Sequence, residues 1–205
     1  MLSKRNIPIN ILLTFITCGL YGLYWQAKVN DEVHGLSGAP QTTTGGKAAL
    51  YSFITCSLYY MFWVYKVGGE LADYRTKKGW QPDAVPPAVY TWTAVVLTFV
   101  AAAFSCLDFV LNLASEMDDI DVNSEQFAGY LVGIAVVSLG YMVVIFIIQC
   151  VLTAIVIWVN YKRSDKSPQA LYVVMALLRT NIFTTAFLQA SLNDTLDRLE
   201  QEGGL

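Results

Sequence analysis

The sequence predicts an all-α, polytopic integral membrane protein of about five transmembrane helices, the first two related by internal duplication. Three observations carry that prediction. Of the 205 residues, 55% are hydrophobic and only 14% are charged, where an ordinary soluble domain carries about 25% charge; mean hydropathy is +0.47. The apolar residues fall into blocks, and blocks of about 18 or more residues are candidates for crossing a bilayer. Residues 14–33, TFITCGLYGLYWQAKVNDEV, return as residues 52–71, SFITCSLYYMFWVYKVGGEL, at an offset of 38. A rare cysteine and a rare tryptophan match in register (Cys18/Cys56, Trp25/Trp63), which makes coincidence a poor explanation.

The first two segments, 7–25 and 48–65, contain the repeat copies, and each is just long enough to cross about 30 Å at 1.5 Å per residue. Lys4 and Arg5 ahead of the first copy imitate a signal peptide. The same FITC string recurs at 53–56, where no signal can be cut, so an uncleaved anchor is expected. Residues 35–46, GLSGAPQTTTGG, read as a helix-breaking linker. His34, the chain's one histidine, is expected in this flexible linker, with no second histidine to make a metal pair. Pro86 and Pro87 close a polar stretch and suit the first turn of the third segment, 88–114. Residues 115–126 form an acidic loop without Lys or Arg. The fourth segment, 127–159, spans roughly 50 Å as a helix and must tilt, kink or protrude. The fifth, 171–192, runs into a tail in which Leu192, Leu196 and Leu199 share one face, as in an amphipathic helix. Two units follow, 1–85 and 86–205. The four cysteines lie inside apolar blocks and are expected as buried free thiols.

Basic residues orient such a chain. With five spans and the N-terminus in the cytoplasm, inner segments hold Lys4, Arg5, Lys66, Arg75, Lys77, Lys78, Lys162, Arg163 and Lys166, and outer segments hold Lys28, Lys47 and Arg198. This places the chain in the cell membrane with the C-terminus outside. One alternative stays open. Both copies end in W-x-x-K, and if each dips into the bilayer and returns, both ends face the cytoplasm; such re-entrant backbone needs cover from protein or a watery cavity.

The string at 17–25, TCGLYGLYW, the Gly-rich linker, the W-V-Y-K-V-G-G-E-L of copy two and the late LYVVMALL…FLQASLND closely resemble bacterial membrane proteins of the domain of unknown function 4234 family. The resemblance covers residues 4–78 well and 169–194 moderately. It implies a membrane protein and assigns no activity. Copy two has Ser57 and Tyr60 where the family pattern has glycine. The pattern passes from the second copy to one helix ending in Q-x-x-L-N, here Gln189 to Asn193, and this chain inserts about two helices between those parts.

Several constellations are candidate sites. Trp25 and Lys28, with Trp63 and Lys66, read as membrane-interface anchors in preference to an aromatic ligand cage, because indole rings and snorkelling lysines suit the headgroup layer. Asp119, Asp121, Asn123 and Glu125 alternate oxygen ligands, but Ser124 and Tyr130 break the EF-hand pattern, so no metal site is expected. Asp108 and Asn112 share a helix face, and Arg179 falls within the fifth segment; intramembrane charge is costly and marks a site, read here as structural (a partner carbonyl, a water pocket or a subunit contact) in preference to transport. Gly129, Gly133 and Gly140 offer segment four a small-residue packing face. Asn181, Thr185, Gln189 and Asn193 form an i+4 polar stripe expected to face protein, against that glycine face. No paired catalytic residues, phosphate loop or basic footprint stands out, so no catalytic residue, cofactor or nucleic acid is expected. The reading is a non-enzymatic structural or assembly component of the cell membrane, partnered by the bilayer and by homo- or hetero-oligomeric contacts. The alternative is a small transporter or channel subunit using Asp108, Arg179 and the stripe.

Overall fold

A computed structural model describes residues 3–38, 43–118, 127–162, 168–177 and 181–203. They form α1 (Ile7–Ile16), α2 (Leu20–Ser37), α3 (Gly45–Ile54), α4 (Leu58–Lys77), α5 (Pro87–Asp118), α6 (Phe127–Tyr161), α7 (Gln169–Leu177) and α8 (Asn181–Gln201), with no strand among the described residues. All-α holds. The helix count differs from expectation, because three of the five apolar segments break in two.

The break is chemically the same in both repeat copies. The Gly19 N–H donates to the Thr14 carbonyl (2.8 Å) and the Cys18 N–H to Phe15 (3.1 Å); Ser57 and Cys56 repeat this with Ser52 and Phe53. That is the Schellman closure of a helix C-terminus. It places Cys18 (φ 49°), Gly19 (φ 93°), Cys56 (φ 48°) and Ser57 (φ 72°) in left-handed backbone. The threonine ahead of each pair joins the two helices. Thr17 Oγ1 donates to the Leu13 carbonyl and accepts from the Tyr21 N–H, and Thr55 does the same with Tyr51 and Tyr59. Each copy is therefore a short helix, a reversal and a long helix. Neither α1 nor α3 is long enough to cross a bilayer.

The pair α7 and α8 has the same proportions, nine residues and then twenty-one. The three hairpins close into a ring: α3 packs on α2, α7 on α4, and α1 on α8, while α2, α4 and α8 meet at the centre. Corresponding junctions are solved with different residues. The start of α3 lies so close to α2 that a Cβ on Gly45 would stand 2.1 Å from the Ala27 carbonyl oxygen, and the Gly45 N–H donates to Asp31 (2.7 Å). At the next junction the small residue changes sides. Gly69, the repeat partner of Asp31, faces Gln169 at the start of α7, where a Cβ would stand 1.7 Å from its amide nitrogen. At the third, Asn193 on α8 accepts from the Arg5 N–H and donates to its carbonyl.

The central core is apolar with indole hydrogen bonds laid through it. Trp63 Nε1 on α4 donates to Asn30 on α2 (3.1 Å), and Trp25 Nε1 on α2 donates to Gln189 on α8 (3.0 Å). Among the described residues, the polar contacts between charged or ionisable side chains gather toward the end of the ring away from the reversals. Lys4 meets Asp197 and Glu200, Arg5 meets Glu32 (2.7 Å), His34 Nδ1 lies 2.6 Å from Glu70, and Lys78 meets Glu202. Arg75, fully buried, pairs with Asp194 (2.9 Å) and donates to the Gln81 and Ser191 carbonyls and the Thr195 hydroxyl. His34 thus belongs to α2 and is buried between long helices, not held in a linker. The Lys4 contacts bring the described N-terminal and C-terminal segments together at one end.

The α5–α6 pair leaves this ring as a long hairpin. Asp83 accepts from Tyr90 (2.7 Å), Ser191 and Tyr172, fixing the start of α5 to α8 and α7. Asn160, one residue before α6 ends, donates to Pro87 and Thr91. Thr98 and Thr153 hydroxyls join α5 to α6 at 2.6 Å. Pro87–Asn112 and Val132–Tyr161 are long and apolar enough to cross a membrane, and only 11% of each most apolar window is buried.

Candidate functional site

The surface divides by level. At the two described reversals the large apolar residues point outward: Phe15, Ile16 and Leu20 in the first, Phe53, Ile54 and Leu58 in the second, with Ile16 68% and Leu58 70% exposed. Lys28 and Lys66 lie nine residues after Gly19 and Ser57, about 13 Å down their helices. Lys28 covers the Tyr24 ring (5.6 Å), and Lys162 covers Trp158 (4.7 Å) where α6 ends. Tyr90, three residues into α5, stacks edge-on against Phe187, six residues into α8. The start of α5 therefore lies roughly 14 Å below the start of α8, on the lysine level. Apolar tips stand above a lysine–aromatic belt, and the ion pairs stand below it.

Between the tips lies a cleft of about 190 Å³. Gly19, Ser57 and Asn181, where the three long helices begin, form its mouth. Trp25, Gln26, Ser52 and Thr185 form its floor, four to seven residues deeper, or about 6–10 Å. Among the described residues no charged side chain lines it. Gln26 Nε2 donates to Ser52 Oγ (2.8 Å). Tyr60 OH donates to the Asn181 carbonyl (2.8 Å), so the Thr185 hydroxyl 2.7 Å away supplies the proton between them.

The expected site residues are placed as follows. Trp25 and Trp63 are 1% and 2% exposed, so they are core donors and not interface anchors. Their rings turn toward the ring centre, and only the neighbouring tyrosines and lysines remain on the outer face. Lys28 is exposed and Lys66 half-buried, 3.9 Å from Glu70. The polar stripe faces protein as expected, but its partners lie on the first two hairpins. Gln189, fully buried, accepts from Trp25 and donates to Asn193 (2.9 Å), and Thr185 meets Tyr60. Gly129, Gly133 and Gly140 have no atom within 4 Å of a Cβ placed on them. Among the described residues the glycine face therefore does not receive the stripe, because α8 is enclosed by α1, α2, α4 and α7. Asn112 donates to Asp108 (3.3 Å), and both line a separate cavity of about 530 Å³ with Ser105, Ser138 and Tyr141 on the α5–α6 pair. The structure does not bring that pair to the stripe. Arg179 and the 119–125 run lie outside the described residues. All four cysteines are free and exposed, not buried as expected; two occupy the reversals, and Cys106 lines a cavity between α5 and α6 with Leu139 and Met142.

The fold defines an all-α protein with two helices long and apolar enough to cross a membrane, built on a ring of short-long helical hairpins. Residues 5–78 match the family described as Domain of unknown function (DUF4234). The match stops one residue past α4, so the matched unit is the first two hairpins. No curated protein and no solved structure matches the chain.

Proposed function

We propose that this protein is a non-enzymatic structural or assembly component of a cell membrane. Its three hairpins are immersed in the cytoplasmic leaflet, and α5 and α6 cross the bilayer. One observation carries the reading: the lysine–aromatic belt separates the two described apolar reversals from the described ion pairs, of which Lys66–Glu70 alone starts in the belt itself. A depth of about 13 Å from belt to tip suits one leaflet of a hydrocarbon core about 30 Å thick. In the ring the backbone at the reversals is closed by Schellman bonds and threonine hydroxyls, which supplies the cover that lipid-embedded irregular backbone requires. The matching copies 14–33 and 52–71, with one reversal geometry, support their origin by duplication.

Orientation follows from the same arrangement. Every described Lys and Arg falls in a segment on the belt side, and basic residues concentrate in the cytoplasm. Both termini are then cytoplasmic, and the 119–126 loop is outside. The largely unburied α5–α6 surface is where lipid and partner helices meet the protein. The transporter reading loses its main support, since Asp108 and the stripe occupy different parts of the molecule.

Photolabelling with a phosphatidylcholine carrying an acyl-chain diazirine, mapped by peptide mass spectrometry, tests this in reconstituted bilayers. Label is expected on 15–20, 53–58 and the outer faces of α5 and α6, and not on α8 beyond Asp194. Unlabelled reversals would remove the hairpins from the membrane. A strictly monomeric protein in native nanodiscs, without stable partners, would remove the assembly role.

A further inference from the structure

We infer that the cleft between the hairpin tips holds the uncharged, oxygen-bearing head of a membrane lipid. This rests on the reading that the tips lie within one leaflet. Position comes first. The mouth at Gly19, Ser57 and Asn181 stands about 13 Å beyond the lysine belt, inside the hydrocarbon, where a phosphate or ammonium head does not follow its chains. A neutral head does. Chemistry comes second. Among the described residues the lining has no ionised side chain, and Gln26, Ser52, Tyr60 and Thr185 put hydroxyls and an amide beside the apolar surfaces of Trp25, Leu23 and Ile182. Ser52 accepts from Gln26 and keeps its own hydroxyl proton to give.

Shape and field agree with that chemistry. At about 190 Å³ the space exceeds the roughly 150 Å³ that admits a benzene-sized guest, so it takes a glycerol or a single ring and not a sugar chain. Three long helices begin at the mouth, and helix N-termini favour acceptor oxygens by their dipoles. The occupant is therefore a lipid whose head presents carbonyl or hydroxyl oxygens without net charge. Diacylglycerols and isoprenoid quinones both answer that description. Gly22 keeps the wall thin, since a Cβ there would already meet Thr14 Cγ2 at 3.0 Å.

The test uses the full chain in phosphatidylcholine nanodiscs with a photoactivatable diacylglycerol whose diazirine lies beside the ester. Cross-links are expected at 22–26, 52 and 182–185. They should be lost on adding unlabelled diacylglycerol or a short-chain quinone and retained on adding phosphatidylglycerol; whichever neutral lipid competes alone names the source. Ser52→Ala, which keeps the helix backbone but leaves the buried Gln26 amide without its acceptor, should weaken labelling while the helical circular-dichroism spectrum stays that of the wild type, at the cost of a lower melting temperature, and Gly22→Leu should abolish it. Equal competition by phosphatidylglycerol, or labelling unaffected by both variants, would overturn the proposal. The acyl-chain phosphatidylcholine probe separates the two failures: if it labels Phe15 and Phe53 while the cleft stays unlabelled, the lipid site alone is wrong. If it labels neither, the immersion of the tips is wrong.

Discussion

Thr17 and Thr55 each satisfy the carbonyl end of one helix and the N–H end of the next, so a three-residue reversal leaves little backbone unpaired. The strain sits on the residues after them. A non-glycine residue in left-handed backbone costs about 1–2 kcal/mol, and Ser57 bears this (φ 72°) where copy one has Gly19. Ser57→Gly should therefore raise stability by about 0.5–1 kcal/mol after allowing for glycine's extra freedom when unfolded, read as a higher melting temperature in detergent. Gln189→Leu should do the opposite, by about 1–3 kcal/mol, because the buried Trp25 N–H loses its acceptor. Asp194 supplies a pH signature. Burial pushes its carboxyl up, but the bonds from Arg75 and Arg198 outweigh burial and hold it below its usual 3.8. A depressed carboxyl contributes stability that is complete above 3.8 and is lost as pH falls through the lower folded value. Melting temperature should drop on acidification below 3.8 in the wild type, and Asp194→Asn should lack that step.

Helices are held together at the junctions where a short helix starts against the preceding long one. Gly45 meets main chain, which cannot retreat, whereas Gly69 meets the end of a glutamine side chain, which can. Gly45→Ala should cost about 1–3 kcal/mol, as overpacking does, and Gly69→Ala clearly less; equal losses in thermal unfolding would reject the account of the two junctions. The same elements show what the sequence discloses. Pro87 announces the start of α5, and the unbroken apolar runs of α5 and α6 read directly as long helices. The reversals do not, because hydropathy averages straight across Thr-Cys-Gly and the deciding feature is the sign of φ at two residues. The glycine expected at Ser57 was the available hint. Trp25 and Trp63 mislead for a related reason: an aromatic at the polar end of an apolar run suits an interface, and only the convergence of α2, α4 and α8 turns it inward. The third hairpin has no FITC string and carries Ala186 where the others carry tryptophan, so its kinship is one of shape.

At the scale of the molecule, charge, aromatics and apolar surface are sorted along one axis: ion pairs, then the lysine belt, then apolar tips, with α5 and α6 continuing past them. A soluble protein has no reason to leave Phe53, Ile54, Leu58 and nearly the whole α5–α6 surface unburied, since exposed apolar patches of that extent mark a membrane or a partner. The claim on which this arrangement depends is that each hairpin enters and leaves on one side. The Asn30 amide donates to the Thr43 carbonyl (3.0 Å), which fixes the connection between the first two hairpins on the same level as Arg5 and Glu32. Topology reporters fused after Thr43, after Lys78 and after Leu205 measure this directly. All three should report the cytoplasm, with a control inserted at Asn123 reporting the opposite side. A reporter at Thr43 on the far side from Lys78 would make the repeat copies true crossings and contradict the ring.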